Sequence, residues 1–274
     1  MARVFVTGSS DGLGLMAARV LIEQGHDVVL HGRNDNRSRH ALAAAPQAQG
    51  TVTGDLSTIT GARTVADQVN MLGRFDAVIH NAGVGYQEGR VEAEPGVPSV
   101  FAVNVLAPYI LTALIEKPTR LVYVSSGTHH GVRPRMDDLL WTKRAWSGYS
   151  AYAESRLCDV LLAFAVARRW KDLNSNALEP GWVPTKMGAV RRRTIFSKAV
   201  SPRRGSPRAK TSWRDRRADI FTISSPASPT RSLGTSRFRM SCWVNAPGFP
   251  ASGSPNSTRR ESWMGPMLKT RRQW

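Results

Sequence analysis

Only two cysteines, Cys158 and Cys242, occur in 274 residues, too few for a disulfide framework and in keeping with a reducing compartment. No run of about 18 apolar residues exists to span a bilayer. The Met-Ala-Arg start leads straight into an apolar strand pattern, without the charged and then apolar stretches of a secretory leader. These absences predict a cytoplasmic location and no membrane partner. Acidic residues are scarce in one part only. Residues 1–187 carry 19 Lys and Arg against 17 Asp and Glu, whereas residues 188–274 carry 19 against 3. The formal charge of +18 therefore resides almost wholly in the last third of the chain. The first part is electrostatically ordinary.

That first part alternates short β-branched runs with longer helical patterns, as a parallel sheet with crossover helices requires. The runs Arg3–Thr7, Asp27–Leu30, Gly50–Thr53, Asp76–His80, Arg120–Ser125 and Asn174–Leu178 read as strands. Gly12–Gln24, Ser38–Ala45, Thr58–Leu72, Val100–Leu114 and Ala151–Trp170 read as helices, with Pro95 and Pro98 restricting where the fourth can begin. No repeat of 20–50 residues is present. The fold class is α/β, a doubly wound parallel sheet of Rossmann type in one domain over residues 1–187.

Near Gly188 the alternation stops. Arg, Ser and Pro make up 38 of the next 87 residues, and neither a period of 2 nor one of 3.6 can be followed. By composition, residues 188–274 form a disordered basic tail. Two explanations stay open. The tail is genuine and binds nucleic acid, or the reading frame slips near Gly188. One permitted codon choice for residues 193–224, read one base back, gives an acidic string with a helical A-W-L-A segment that ends in a strand-like G-R-Y-F-Y-H.

The first strand leads into Gly8-Ser9-Ser10-Asp11-Gly12-Leu13-Gly14 and then an amphipathic helical run. A glycine turn between strand and helix lets backbone amides approach a pyrophosphate, and the helix N-terminus favours its charge. The candidate phosphate-binding residues are Gly8, Ser10, Gly12, Leu13 and Gly14.

The spacing T-G-x-x-x-G-x-G resembles that of the short-chain dehydrogenase/reductase family, and further motifs follow in the family's order over two-thirds of the chain. The resemblance implies that Asp55 and Leu56 border the adenine. It implies that Asn81, Ala82 and Gly83 wall the cofactor site, and that Pro180, Gly181 and Val183, in P-G-W-V-P-T, contact the nicotinamide. It also implies four catalytic roles. Tyr152 exchanges a proton with the substrate oxygen, Ser126 orients that oxygen and Asn104 belongs to the relay. Position 156 should be the lysine that holds the ribose and lowers the tyrosine pKa, but here it is Arg156. Tyr152 and position 156 share a helix face. Arginine keeps the cation beside a phenol whose ordinary pKa is about 10, yet stays protonated and cannot relay a proton.

Arg33, just after the second strand, stands where an acidic residue would pair with the ribose hydroxyls of NAD; an arginine favours the 2′-phosphate of NADP. Asp11 argues the other way, because many NADP-preferring relatives carry a basic residue in that part of the glycine turn. NADP is the expected cofactor and NAD the less favoured one.

Ser126 and Tyr152 are separated by a longer stretch than in compact family members, which resembles a subgroup close to the retinol dehydrogenases. Its Leu139, Leu140, Trp141 and Trp146 either line a substrate pocket or pack the loop. His129 and His130 lack partners at metal-ligand spacing. Tyr149 is a poorer candidate than Tyr152, since Ala153 lies four residues beyond it. The expected activity is hydride transfer between NADP(H) and a small-molecule alcohol or carbonyl, weakened by Arg156. The alternatives are a catalytically inactive nucleotide-binding protein and a nucleic-acid binder acting through its tail. A homo-oligomer through the Ala151–Trp170 helix is a further expectation.

Overall fold

The computed structural model describes residues 1–86 and 89–181, together with the backbone of 220–224 and 239–243; Val183 and the 187/188 boundary lie outside these. All described residues fall within one compact unit, Met1–Val244.

The alternation of strand and helix emerges as read. Strands β1 (Arg3–Val6), β2 (Asp27–Gly32), β3 (Gly50–Thr53) and β4 (Ala77–His80) alternate with helices α1 (Gly12–Glu23), α2 (Asp35–Ala44) and α3 (Ile59–Met71). Polar side chains start α2 and α3. Asn34 accepts from the Arg37 N–H, and Thr58 from that of Gly61, each satisfying an otherwise orphaned donor. A short hairpin, β5 (Glu92–Glu94) and β6 (Val97–Pro98), was not legible in sequence. Beyond it the expected fourth helix is three segments: α4 (Ser99–Phe101), a π turn (Ala102–Leu106) and α5 (Ala107–Leu114). Pro108 explains the break. It has no N–H to give the carbonyl of Asn104 four residues earlier, so the α-helical ladder cannot run through. Then come β7 (Arg120–Val124), the long helix α6 (Gly148–Arg169) and β8 (Asn174–Glu179).

Six strands pair in parallel in the order β3-β2-β1-β4-β7-β8. Alternate residues sort to the two faces as the strand period demands. Val4, Val6, Val28 and Leu30 pack with Ala18 of α1 and Ala41 of α2. Phe5, Val29, Leu121 and Tyr123 pack on the other face with α3, α5 and α6. Chain order reverses direction between β1 and β4, and the crevice at their carboxyl ends is where doubly wound sheets bind ligands.

The composition of residues 188–274, read as a disordered tail, offers no strand to pair with β8. Instead β9 (Ile220–Ser224) pairs with β8 in parallel and β10 (Arg239–Trp243) pairs antiparallel with β9. An edge strand with unmet N–H and C=O groups is a template for any strand-forming segment. Ile-Phe-Thr-Ile is such a segment by propensity, too short to show a period among its basic neighbours.

The stretch between Ser126 and Tyr152 is a built element. Asp138, 4 % exposed, accepts from the Thr142 and Lys143 N–H groups. Arg144 lies over the Trp141 ring at 3.5 Å from its centroid and forks onto Glu154 of α6 at 2.8 and 2.6 Å. Leu139, Trp141 and Trp146 pack with Pro98, Phe101 and Ala151 around only about 10 Å³ of space. Among the described residues, these side chains pack the loop.

His31 and His80 are buried and held neutral in the fold. His80, on β4, stacks on Tyr123 and meets the Thr112 hydroxyl at 3.2 Å, while its Nδ1 has no partner. Burial lowers its pKa to about 3, and burial lowers that of His31 as well. A base held neutral in the fold but free to protonate near pH 6.5 when unfolded costs stability as pH falls below that value. His80 should remove about 2 kcal/mol between pH 6.5 and 5. Urea unfolding at those two pH values measures it, with His80→Gln as the non-titrating control. Equal slopes for parent and variant would refute the assignment.

Candidate active site

Gly8 follows β1 with φ +61°, in the left-handed region that favours glycine. A Cβ on it would sit 2.7 Å from the Ala82 Cα, so the turn lies directly against the loop after β4. Asn81 holds the two together. Its side-chain amide donates to the carbonyls of Thr7 and Gly8 at 2.9 and 3.0 Å, while the Thr7 hydroxyl accepts from the N–H groups of Asn81 and Ala82. A Cβ on Gly14 would meet Asn81 Nδ2 at 2.4 Å and the Gly8 carbonyl oxygen at 2.5 Å. The bare Cα atoms are therefore needed for the backbone to pass this closely. Asp11 stands at the N-cap of α1 but makes no capping bond with its side chain. The first-turn amides thus keep no side-chain competitor at an end that favours anions.

His31 was missed by sequence reasoning. Its Nδ1 accepts from the Gly8 N–H at 2.9 Å, and its Nε2 lies 2.9 Å from the Gly54 carbonyl. One neutral tautomer, protonated on Nε2, satisfies both contacts. The ring ties the glycine turn to the loop before Asp55 and needs to be uncharged, which its burial favours. Ser9 adds to this tie by accepting from the His31 N–H at 2.8 Å. Its neighbour Ser10 is buried.

Asp55 is exposed and accepts from the Ser57 N–H, while the Leu56 side chain is buried in the core. Arg33 is exposed at the end of β2. Arg37, on the first turn of α2, reaches back to Asp11 at 2.7 Å. The acidic residue in the glycine turn thus carries a guanidinium with it.

Asn104 is fully buried in the π turn. It accepts from the Val84 N–H at 2.9 Å, donates to the Val84 carbonyl and also donates to the Ser155 hydroxyl at 3.0 Å. This clamps the chain just past Gly83. Against Gly83 lies Arg156, whose Nη2 would be 2.0 Å from a Cβ there. The guanidinium is buried, donates from Nη1 to the Val124 carbonyl and to Asp159 at 3.0 and 2.9 Å, and has its Cζ 5.2 Å from the Tyr152 ring centroid. Burial alone would lower its pKa, but Asp159 and Tyr152 raise it. The cation is permanent.

Tyr152 is buried, with Tyr86 tilted over it at 5.4 Å, whereas Tyr149 is 47 % exposed. Of the two, Tyr152 is the one buried beside the Arg156 cation. Ser125 is turned inward, donating to the Arg156 carbonyl at 2.7 Å. Ser126 is half-buried, and its hydroxyl accepts from that of Thr128. Glu179 was not anticipated. It packs so closely on Gly127 that a Cβ there would be 2.3 Å from its carboxylate, and it pairs with His130 at 3.3 Å. His129 meets the Ser126 carbonyl at 2.6 Å, so both histidines serve the serine loop. Among the described residues no group of His, Cys, Asp or Glu is placed to hold a metal. No described helix is long and apolar enough to cross a membrane. Pro180 and Gly181 end the description at the carboxyl side of β8.

The family model for short chain dehydrogenases matches residues 2–132. A short-chain dehydrogenase of Gibberella zeae is 43 % identical over 190 residues, covering 68 % of this chain and 73 % of that protein. Human retinol dehydrogenase 13 is 30 % identical over 202 residues, covering 68 % of this chain and 60 % of that protein. An uncharacterized protein from Mycobacterium paratuberculosis of known crystal structure superposes with a TM-score of 0.61 at 29 % identity, covering 69 % of this chain and 71 % of that one.

The crowding at Gly14 makes a direct test. Gly14→Ala forces Asn81 off the Thr7 and Gly8 carbonyls, so stability should fall by about 2 kcal/mol and dinucleotide binding at least about tenfold. Nucleotide fluorescence titration and thermal melts read the two effects. An alanine variant unchanged in both would show that the turn is not as tight as described.

Proposed function

The chain belongs to the short-chain dehydrogenase family, and from that premise we propose that it interconverts an alcohol and the matching carbonyl with NADP(H). NAD(P)-dependent oxidoreduction goes with the family; the phosphate preference, the substrate class and the residue roles are this reading's own. The observation that carries it is the placing of Tyr152 and Arg156 one helical turn apart behind the Gly83 wall.

The glycine cradle suits a dinucleotide, because Gly8, Gly12, Leu13 and Gly14 leave bare backbone at an uncapped helix start, with Ser10 beside them. Asp55 and Leu56 border the adenine, and Asn81, Ala82 and Gly83 form the facing wall. Pro180 and Gly181, at the carboxyl end of β8, would contact the nicotinamide. When bound, the cofactor supplies or accepts the hydride. Tyr152 transfers the accompanying proton to or from the substrate oxygen, so the two-electron change balances. The Ser126 hydroxyl donates to that oxygen and polarises it. Arg156 stands beside the Tyr152 ring and backs the wall at Gly83, and Asn104 holds the wall in place through Val84. These roles set the catalytic module within residues 1–187. The exposed Leu161 and Phe164 on α6 support a homo-oligomer through that helix.

Arg33 favours NADP, and Arg37 strengthens the case because Asp11 holds it at the glycine turn. NADPH should bind more tightly than NADH by on the order of 1–3 kcal/mol, and Arg33→Asp should remove most of the difference. Equal affinities in the parent would sink this preference.

Turnover tests the chemistry. With a panel of ketones and aldehydes, Tyr152→Phe should lower kcat at least about 100-fold while NADPH affinity stays within about twofold. NADPH binding with no turnover of any carbonyl by the parent would instead favour a nucleotide-binding protein without catalysis.

A further inference from the structure

Asp159 belongs to no motif, yet it is 2 % exposed and lies in the core beneath the site, three residues past Arg156 on α6. Its carboxylate accepts a hydrogen bond from the Arg156 Nη1 at 2.9 Å, and both side chains are at most 5 % exposed. The same Nη1 donates to the Val124 carbonyl, Nη2 presses on Gly83, and Nε is buried without a hydrogen-bond partner. The guanidinium is therefore fixed by one edge, and its other edge faces the cofactor wall and the Tyr152 ring.

We propose that Asp159 is a positioning residue that locks and electrically neutralises Arg156, so that Tyr152 stands beside a closed ion pair and not beside a free cation. A free cation within about 4–6 Å would lower a phenol's pKa by about 1–3 units; a carboxylate in contact with that cation cancels most of its field. The inference rests on the reading of Tyr152 as the proton-transfer group. It gives Arg156 a physical reason to stand where the family has lysine, since a planar fork can serve a carboxylate and a backbone carbonyl together.

The groups facing Asp159 are few. Arg156 and Cys158 lie on its own helix, Tyr123 faces it from β7, and Tyr152 acts on it through Arg156. Burial raises the Asp159 pKa to about 7 against the pull of Arg156, and burial with the nearby carboxylates raises that of Cys158 to about 12. Asp159 is accordingly ionised at the alkaline pH where phenols titrate.

The test is an absorbance titration of tyrosinate in the full chain without cofactor, the Tyr152 contribution being the difference between each protein and its Tyr152→Phe partner. Asp159→Asn keeps the shape and one acceptor but frees the cation, and should move the Tyr152 transition down by about one pH unit. The double variant Arg156→Met/Asp159→Asn removes both charges, and should titrate within about half a unit of the parent. An unmoved transition in the single variant overturns the proposal. So does a double variant titrating well above the parent, because Arg156 would then have acted unopposed. Should Asp159→Asn fail to fold, the neutral double variant still decides the question. Because no substrate or turnover enters the readout, failure of the proposed oxidoreduction would show separately, in the carbonyl panel.

Discussion

Where β1 and β4 end side by side, the amide of Asn81 bonds two successive carbonyls, Thr7 and Gly8, and the Thr7 hydroxyl returns two contacts to the loop. The rest of the site depends on this knot. It sets Gly8 against Ala82 at a separation only glycine allows and aims the start of α1 at the crevice between the strands. It also leads the chain through Gly83, whose bare Cα lies on the Arg156 guanidinium, to Val84, which Asn104 grips from both sides. A displaced Asn81 would therefore be felt from the glycine turn to α6. His31 extends the same constraint to β3 through Gly54.

Among the described residues, buried charge is held in pairs or in neutral form. His31 and His80 are buried as uncharged rings. Arg156 meets Asp159, and Arg144 meets both Asp138 and Glu154. Breaking such a pair strands a buried charge, which costs more than the pair itself gains. These pairs therefore fix side-chain directions more than they add stability. Around Tyr152 that direction is what matters, because Glu154 anchors the loop before it while Asp159 anchors the Arg156 cation after it.

The sheet could be read from β-branched runs because a parallel sheet buries both faces and must be apolar throughout. The glycine turn, the Asn81 loop, Asn104 and Tyr152 could be picked out because tight backbone approach and buried polar contacts at these positions admit few residue types. Asp159 was legible in principle as the i+3 partner of Arg156. His31, Arg37 and Glu179 could not be found this way, since their partners lie far off in sequence. The aromatic stretch around Trp141 had two readings of equal standing, and packing alone chose between them.

By itself the sequence determined the strand and helix order, the phosphate-cradling turn and the pairing of Tyr152 with a cation one helical turn away. Each of these follows from local period and spacing, which the chain carries everywhere. Tertiary structure decided what those groups touch. Arg156 spends its charge on Asp159, Asp11 brings Arg37 to the turn, Ser125 turns inward while Ser126 stays half-buried, and a strand from the basic tail takes the edge beside β8. Such contacts are set by closure of the sheet and its helices around a core, which brings together residues whose separation along the chain carries no signal.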